Sequence, residues 1–130
     1  MRVLQPEDWP RPKGYACGVA AFGTSLFVSG QIGWDEHGRL TANDIAGQVR
    51  QALLNVVAVL GEAGARAEHI VRLTWYVTDK REYLDAQREI GEAYRAVMGR
   101  HFPAMSVVAV AALLEDDAKV EIEATAVLPH

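Results

Sequence analysis

Residues 102–127 read FPAMSVVAVAALLEDDAKVEIEATAV, and this stretch decides the fold because it holds two strands and the break that precedes them. Pro103 has no amide hydrogen and pushes Phe102 toward an extended conformation, so a helix cannot continue through this point. A strand is therefore expected to begin at Met105 or Ser106.

The second strand of this stretch, Lys119 to Val127, alternates between two kinds of residue. Because successive strand side chains point to opposite faces, one face is apolar and the other carries carboxylates. Glu121 and Glu123 therefore point the same way. On so apolar a strand they need a hydrogen-bond donor, a neighbouring subunit or a catalytic role. The apolar face is Val120, Ile122, Ala124 and Ala126, and the other is Glu121, Glu123, Thr125 and Val127.

Upstream, two β-prone runs and a helix are expected. Tyr15–Phe22 and Ser25–Ser29 flank Gly23 and Thr24, a spacing that predicts a hairpin. Residues 35–43 are polar and predict a surface loop. From Asp44 to Ala63 the apolar residues follow a helical period, with Asn43 or Asp44 as N-cap and Gly64 as the stop.

Between this helix and Pro103, one strand and one helix are expected. Ile70–Val77 is nearly apolar throughout, which predicts a central strand with neighbours on both edges. Tyr83–Arg100 has the period of an amphipathic helix. The predicted order is β-β-α-β-α-β-β, an α+β fold with two helices on one face of a mixed sheet. The other sheet face stays uncovered, and in a chain this small a second copy of itself is the expected cover.

Composition restricts the classes of function. With 130 residues, 50% of them hydrophobic, one domain spanning residues 1–130 is expected. A net charge of −4 and a pI near 5.5 argue against nucleic acid as a partner. Neither a membrane span nor a signal peptide is predicted, so we expect a cytoplasmic protein. Cys17 is expected to be a buried, inert thiol, and no spacing of Cys and His predicts a metal; no cofactor is expected.

Five segments in order resemble one known family. They are YACGVAAFGTSLFVSGQIG, DIAGQVRQALLNVVAVLGEAG, IVRLTWYVTD, FPAMS and VEIEATAV, and together they cover about Tyr15 to Val127. The chain resembles the RidA family, also called the YjgF/YER057c/UK114 family. This resemblance implies a chorismate-mutase-like fold, a homotrimer closed as a barrel, and small-molecule clefts between subunits. It also implies hydrolysis of enamines or imines to a keto acid and ammonia.

The resemblance also implies roles for individual residues. Glu121 matches the glutamate that positions the attacking water, Tyr15 the tyrosine of the cleft, and Gly30 the glycine of the SGQ turn. Gln87 stands where close relatives often have Asn. Apart from the resemblance, if the chain is an enzyme we expect the backbone amides around Gly30 and Ser106 to hold the polar end of the ligand. The departure is Met105, because FPAMS stands where the deaminases have FPARS.

Met105 changes what the cleft can bind. An arginine would hold a substrate carboxylate through two charge-assisted hydrogen bonds, which a thioether cannot make. Either the ligand lacks that carboxylate or another cation binds it, with Arg72, Lys13 and Arg100 as candidates. Three functions stay open: an imine or enamine hydrolase, a binding protein for a small metabolite without turnover, and, third, a ribonuclease. The alternative for Glu121 is a structural carboxylate that accepts backbone or Tyr hydrogen bonds at the trimer interface.

Overall fold

The computed structural model describes residues 1–130, which form six strands, three α-helices and one short 3-10 turn at Ala67–His69. The strands are β1 Arg2–Leu4, β2 Gly18–Ala20, β3 Thr24–Gln31, β4 Ile70–Val77, β5 Ala104–Ala109 and β6 Val120–Leu128. The helices are α1 Ile45–Gly61, α2 Lys80–Asp85 and α3 Gln87–Met98.

A four-stranded mixed sheet is the centre of the fold, in the order β3-β6-β4-β5. β4 is antiparallel to β6 and parallel to β5, so it has a neighbour on each edge as its apolar sequence predicts. α1 and α3 pack together over one face, where Leu53, Leu73 and Ile122 are fully buried. The α+β fold with helices on one face of a mixed sheet is confirmed.

α1 begins where the sequence predicts. Asp44 is extended and its carboxylate accepts a hydrogen bond from the amide of Gly47 at 3.1 Å, which makes it the N-cap. The residues at the helical period, from Ile45 to Leu60, are buried against the sheet. Gln48 is the exception among them: it is buried, and its amide binds the backbone of Ala42, Asp117 and Lys119.

The predicted hairpin is wrong. β2 pairs with β1, a strand that the sequence did not predict, whereas β3 pairs with β6. At the turn between β2 and β3, Gly23 has φ +152° and a Cβ there would lie 2.2 Å from the carbonyl oxygen of Leu128. The chain is pressed against the end of β6 at this turn, and β2 leaves the main sheet.

The predicted helix at Tyr83–Arg100 is two helices. α2 begins before the predicted start at Tyr83, because Asp79 is its N-cap. The carboxylate of Asp79 accepts a hydrogen bond from the amide of Glu82 at 3.0 Å. The helical path breaks at Ala86, and α3 ends at Gly99, which has φ +62°. The observed order is β-β-β-α-β-α-α-β-β, so the predicted order lacked one strand and one helix break.

The second face of the sheet is uncovered. Phe27 on β3 is 78% exposed and Val108 on β5 is 44% exposed. Cys17 is exposed, so its expected burial is wrong. The neighbouring Ala16 is the buried residue of this segment, and its amide donates a hydrogen bond to the carbonyl of Pro103 at 3.0 Å. None of the helices is long and apolar enough to cross a membrane.

Candidate functional site

A hollow of about 390 Å³ lies between the N-terminal segment, α3 and the helix-facing side of β4 and β5. Three of the predicted site residues meet there: Tyr15, Gln87 and Met105. Its volume is at the lower end of the range for small-molecule pockets, which is about 300–1,000 Å³. Gln87 is the first residue of α3, and its side-chain amide donates to the carbonyl of Tyr83 at 3.0 Å. Its amide oxygen has no partner within the chain.

Aromatic side chains form the floor of this hollow. The rings of Trp75 and Tyr94 stack with centroids 6.4 Å apart, and the rings of Tyr94 and Phe102 stack at 5.5 Å. Burial raises the pKa of Tyr94, whose neutral hydroxyl donates to the carbonyl of His101 at 2.5 Å. The indole N–H of Trp75 is buried without an acceptor in the chain. The floor is therefore aromatic and largely apolar, with one unused donor.

The cations of the hollow differ from those expected. Among the candidates, Lys13 lines the hollow, whereas Arg72 lies on the uncovered sheet face beside Glu123 and Arg100 does not line it. Arg95 of α3 lines the hollow and was not predicted. Gln87, Gly91 and Arg95 are spaced at four-residue intervals, which places them on one side of a helix. This spacing is the sequence feature from which Arg95 could have been predicted to line the same hollow as Gln87.

Glu121 and Gly30 lie together elsewhere, on the uncovered sheet face. A Cβ on Gly30 would lie 2.3 Å from Oε2 of Glu121, so the carboxylate rests directly on the glycine backbone. β3 has a register shift between Val28 and Gln31 that brings Gly30 to this position. The carboxylate of Glu121 is half-buried and forms no hydrogen bond or ion pair within the chain.

Glu123 has a different environment from Glu121. The hydroxyl of Tyr76 donates to Oε1 of Glu123 at 2.5 Å. This hydrogen bond, and secondly desolvation, raise the pKa of Tyr76, so the tyrosine stays a neutral donor. Of the two carboxylates on this face of β6, that of Glu123 is hydrogen-bonded within the chain and that of Glu121 has no partner there.

The predicted site residues thus fall into two groups. Tyr15, Gln87 and Met105 line the hollow on the helix side, whereas Gly30, Glu121 and Ser106 belong to the uncovered face. Ser106 is exposed and pairs in register with Thr74 of β4. Because the sheet separates the two groups, a single chain does not bring them together.

A second hollow, of about 620 Å³, lies at the other end of the sheet and is lined by none of the predicted residues. Trp34 lines this hollow together with Arg39 and Lys119. Three acidic residues, 115–117, also line it. No group of three or more His, Cys, Asp or Glu side chains in the chain is placed to hold a metal ion.

Comparison with known proteins identifies relatives across the whole chain. Residues 10–128 match the family model described as Endoribonuclease L-PSP. The 2-iminobutanoate/2-iminopropanoate deaminase of Salmonella typhimurium is 36% identical over 130 residues, covering 97% of each chain. A RutC family protein of Pyrococcus abyssi is 33% identical, covering 95% of this chain and 94% of its own.

Solved structures match the fold over the same length. A Rid-family protein of unknown function from Yersinia pestis has a TM-score of 0.85 at 32% identity, covering 98% of both chains. TdcF from Escherichia coli, solved with bound serine, has a TM-score of 0.70 at 34% identity, covering 98% of this chain and 99% of its own.

Proposed function

The chain belongs to the RidA family, whose family model is described as Endoribonuclease L-PSP, and from that premise we propose that it hydrolyses imines or enamines to a carbonyl compound and ammonia. The observation that carries the proposal is the carboxylate of Glu121. It is half-buried against the backbone of Gly30 and has no partner of its own. A carboxylate left free in this way is available to bind and orient water.

The proposed reaction adds water across the C=N bond. Starting from the protonated imine, Glu121 accepts a proton from the water as its oxygen bonds to the imine carbon, which gives a neutral carbinolamine. Glu121 then passes this proton to the nitrogen, the C–N bond breaks and ammonia leaves, and Glu121 accepts the hydroxyl proton as the C=O bond forms. Atoms and charge balance without an oxidant, a metal or a cofactor. An enamine enters the same sequence after protonation at carbon gives the protonated imine.

Assembly is required to complete this site. The uncovered face presents Glu121, Gly30 and Ser106, and the hollow on the helix side presents Tyr15, Gln87 and Met105. We propose that the protein is a homotrimer in which the uncovered face of one protomer meets the hollow of the next. The exposed Phe27 supports this proposal, because an apolar face of this kind is normally buried against a partner.

Met105 sets the substrate range in this proposal. The side chain lines the hollow but provides no charge, so a carboxylate on the reacting carbon lacks a bidentate partner at this wall. Short 2-imino acids, such as 2-iminobutyrate, are then poor substrates. A hydrogen bond to a charged group contributes about 1.5–3 kcal/mol, so the loss of two weakens binding by about two to four orders of magnitude.

The oligomeric state is the first test. Light scattering at micromolar concentration should give a mass three times 14.2 kDa, because the uncovered sheet face is buried only in the assembly. A stable monomer would contradict the trimer and the shared site together.

The contact between Gly30 and Glu121 gives a second test. Gly30→Ala should lower kcat for imine hydrolysis about a hundredfold, because the new methyl group displaces a carboxylate that must be held in place. The protein should stay folded by circular dichroism, since the displaced atoms are the end of a flexible side chain. Gly61→Ala is the matched control: a Cβ at Gly61 meets nothing within 4 Å, so activity should be unchanged. Full activity of Gly30→Ala would contradict the role of Glu121.

A further inference from the structure

The hollow beside Met105 is cationic although the chain is acidic. Two cations, Lys13 and Arg95, are among its lining residues, and no Asp or Glu is. Neither cation forms an ion pair within the chain, whose net charge is −4. An unpaired guanidinium and an unpaired ammonium beside an apolar floor favour an anionic ligand group.

The position of Arg95 follows from α3. The side chain leans toward the N-terminus of the helix, as helical side chains do, and passes over Gly91. A Cβ on Gly91 would lie 3.2 Å from Nη1 of Arg95, so the absence of a side chain at Gly91 leaves the room that the guanidinium uses. This places the charged fork at the α3 side of the hollow, whereas Met105 is on the β5 side.

We infer that Arg95 binds a carboxylate of the ligand at the α3 side of the hollow, and that the substrates are imines with a carboxylate remote from the C=N carbon. This inference rests on the proposed function for the reaction. The guanidinium presents a planar fork that fits a carboxylate through two hydrogen bonds, and Lys13 adds a second positive charge. Arg95 is thus a specificity-determining residue that replaces the charge missing at Met105, from a different wall.

The positions of Met105 and Arg95 on opposite sides of the hollow determine where the ligand's carboxylate is bound. Met105 cannot pair with a carboxylate at the β5 side, so an anionic group gains a partner by reaching across to Arg95. The hollow has a volume of about 390 Å³, which accommodates a dicarboxylic ligand of five carbons. A short monocarboxylic imine has no second carboxylate to offer to Arg95.

The test measures binding of two keto acids, the product type of the proposed reaction, by calorimetry. The first is 2-oxoglutarate, which has a remote carboxylate, and the second is 2-oxobutanoate, which does not. The wild type should bind 2-oxoglutarate more tightly by about ten- to a hundredfold, and Arg95→Gln should remove that difference. Arg95→Lys should keep part of it, because the charge remains and the fork is lost. Arg88→Gln is the control, since Arg88 is on the same helix with its side chain 87% exposed and lies outside the hollow.

The outcomes separate this inference from the proposed function. If Arg95→Gln leaves the affinity for 2-oxoglutarate unchanged, or lowers the affinity for both keto acids equally, Arg95 does not recognise the remote carboxylate. If the wild type binds neither keto acid, the inference is also wrong. Failure of the proposed function gives a different result, in which no imine is hydrolysed although 2-oxoglutarate still binds through Arg95.

Discussion

Glu121→Gln should lower kcat for imine hydrolysis by about two to four orders of magnitude while the protein stays a folded trimer. The amide has the size of the carboxylate but cannot accept a proton from water. Glu121 has no hydrogen bond or ion pair within the protomer, so its replacement leaves no partner unsatisfied. The measurement is the rate of imine loss at saturating substrate, with circular dichroism and light scattering on the same sample.

Glu123→Gln is the matched control, two residues along the same face of β6. Its carboxylate accepts from the hydroxyl of Tyr76, so the substitution weakens a charge-assisted hydrogen bond. We expect a lower melting temperature, with most of the activity retained. The opposite pattern, stability lost in Glu121→Gln and activity lost in Glu123→Gln, would mean that the roles of the two carboxylates are exchanged.

Met105→Arg should raise kcat/KM for 2-iminobutyrate by about ten- to a thousandfold. The two side chains are similar in length, and the hollow has room for a guanidinium next to the aromatic floor. Two charge-assisted hydrogen bonds to the carboxylate on the reacting carbon then become possible. The measurement compares the rates of wild type and variant on the same imine. The imine is prepared from the amino acid, and the imine that remains is trapped with semicarbazide.

Met105→Leu is the control for this gain, because it keeps an apolar side chain of similar volume and adds no charge. It should leave the slow hydrolysis of 2-iminobutyrate unchanged. A wild type that already hydrolyses 2-iminobutyrate as fast as Met105→Arg would show that a carboxylate at the reacting carbon is bound by another residue.

The elements of the sheet and α1 could be predicted because local patterns determine them. The alternation along Val120–Leu128 and the apolar run Ile70–Val77 depend only on burial, and Asp44 is a cap with its acceptor in place. The pairing of β2 could not be predicted. β2 pairs with β1, and the turn after β2 approaches the end of β6 at Gly23 and Leu128, two residues more than a hundred positions apart.

Only part of the candidate site could be predicted. The resemblance names Tyr15, Gly30, Gln87, Met105, Ser106 and Glu121, but the sequence does not tell that the sheet divides them into two groups. Arg95 was missed because an exposed arginine on a helix is usually a solvated residue. What distinguishes it is the neighbouring Gly91 together with the absence of acidic residues around the hollow, and the second of these requires the fold.

The most direct test of imine hydrolysis by Glu121 uses 2-iminoglutarate and semicarbazide, which traps the imine as a semicarbazone. The semicarbazone yield is compared between wild type and Glu121→Gln. Each protein is added at equal concentration as the imine is generated. We predict that the wild type lowers the semicarbazone yield, because it converts the imine before the trap does, and that Glu121→Gln leaves the yield at the level without protein. The comparison is then repeated with 2-iminobutyrate, using proteins that also carry Met105→Arg. Equal semicarbazone yields with and without Glu121 in both experiments would contradict imine hydrolysis at this site.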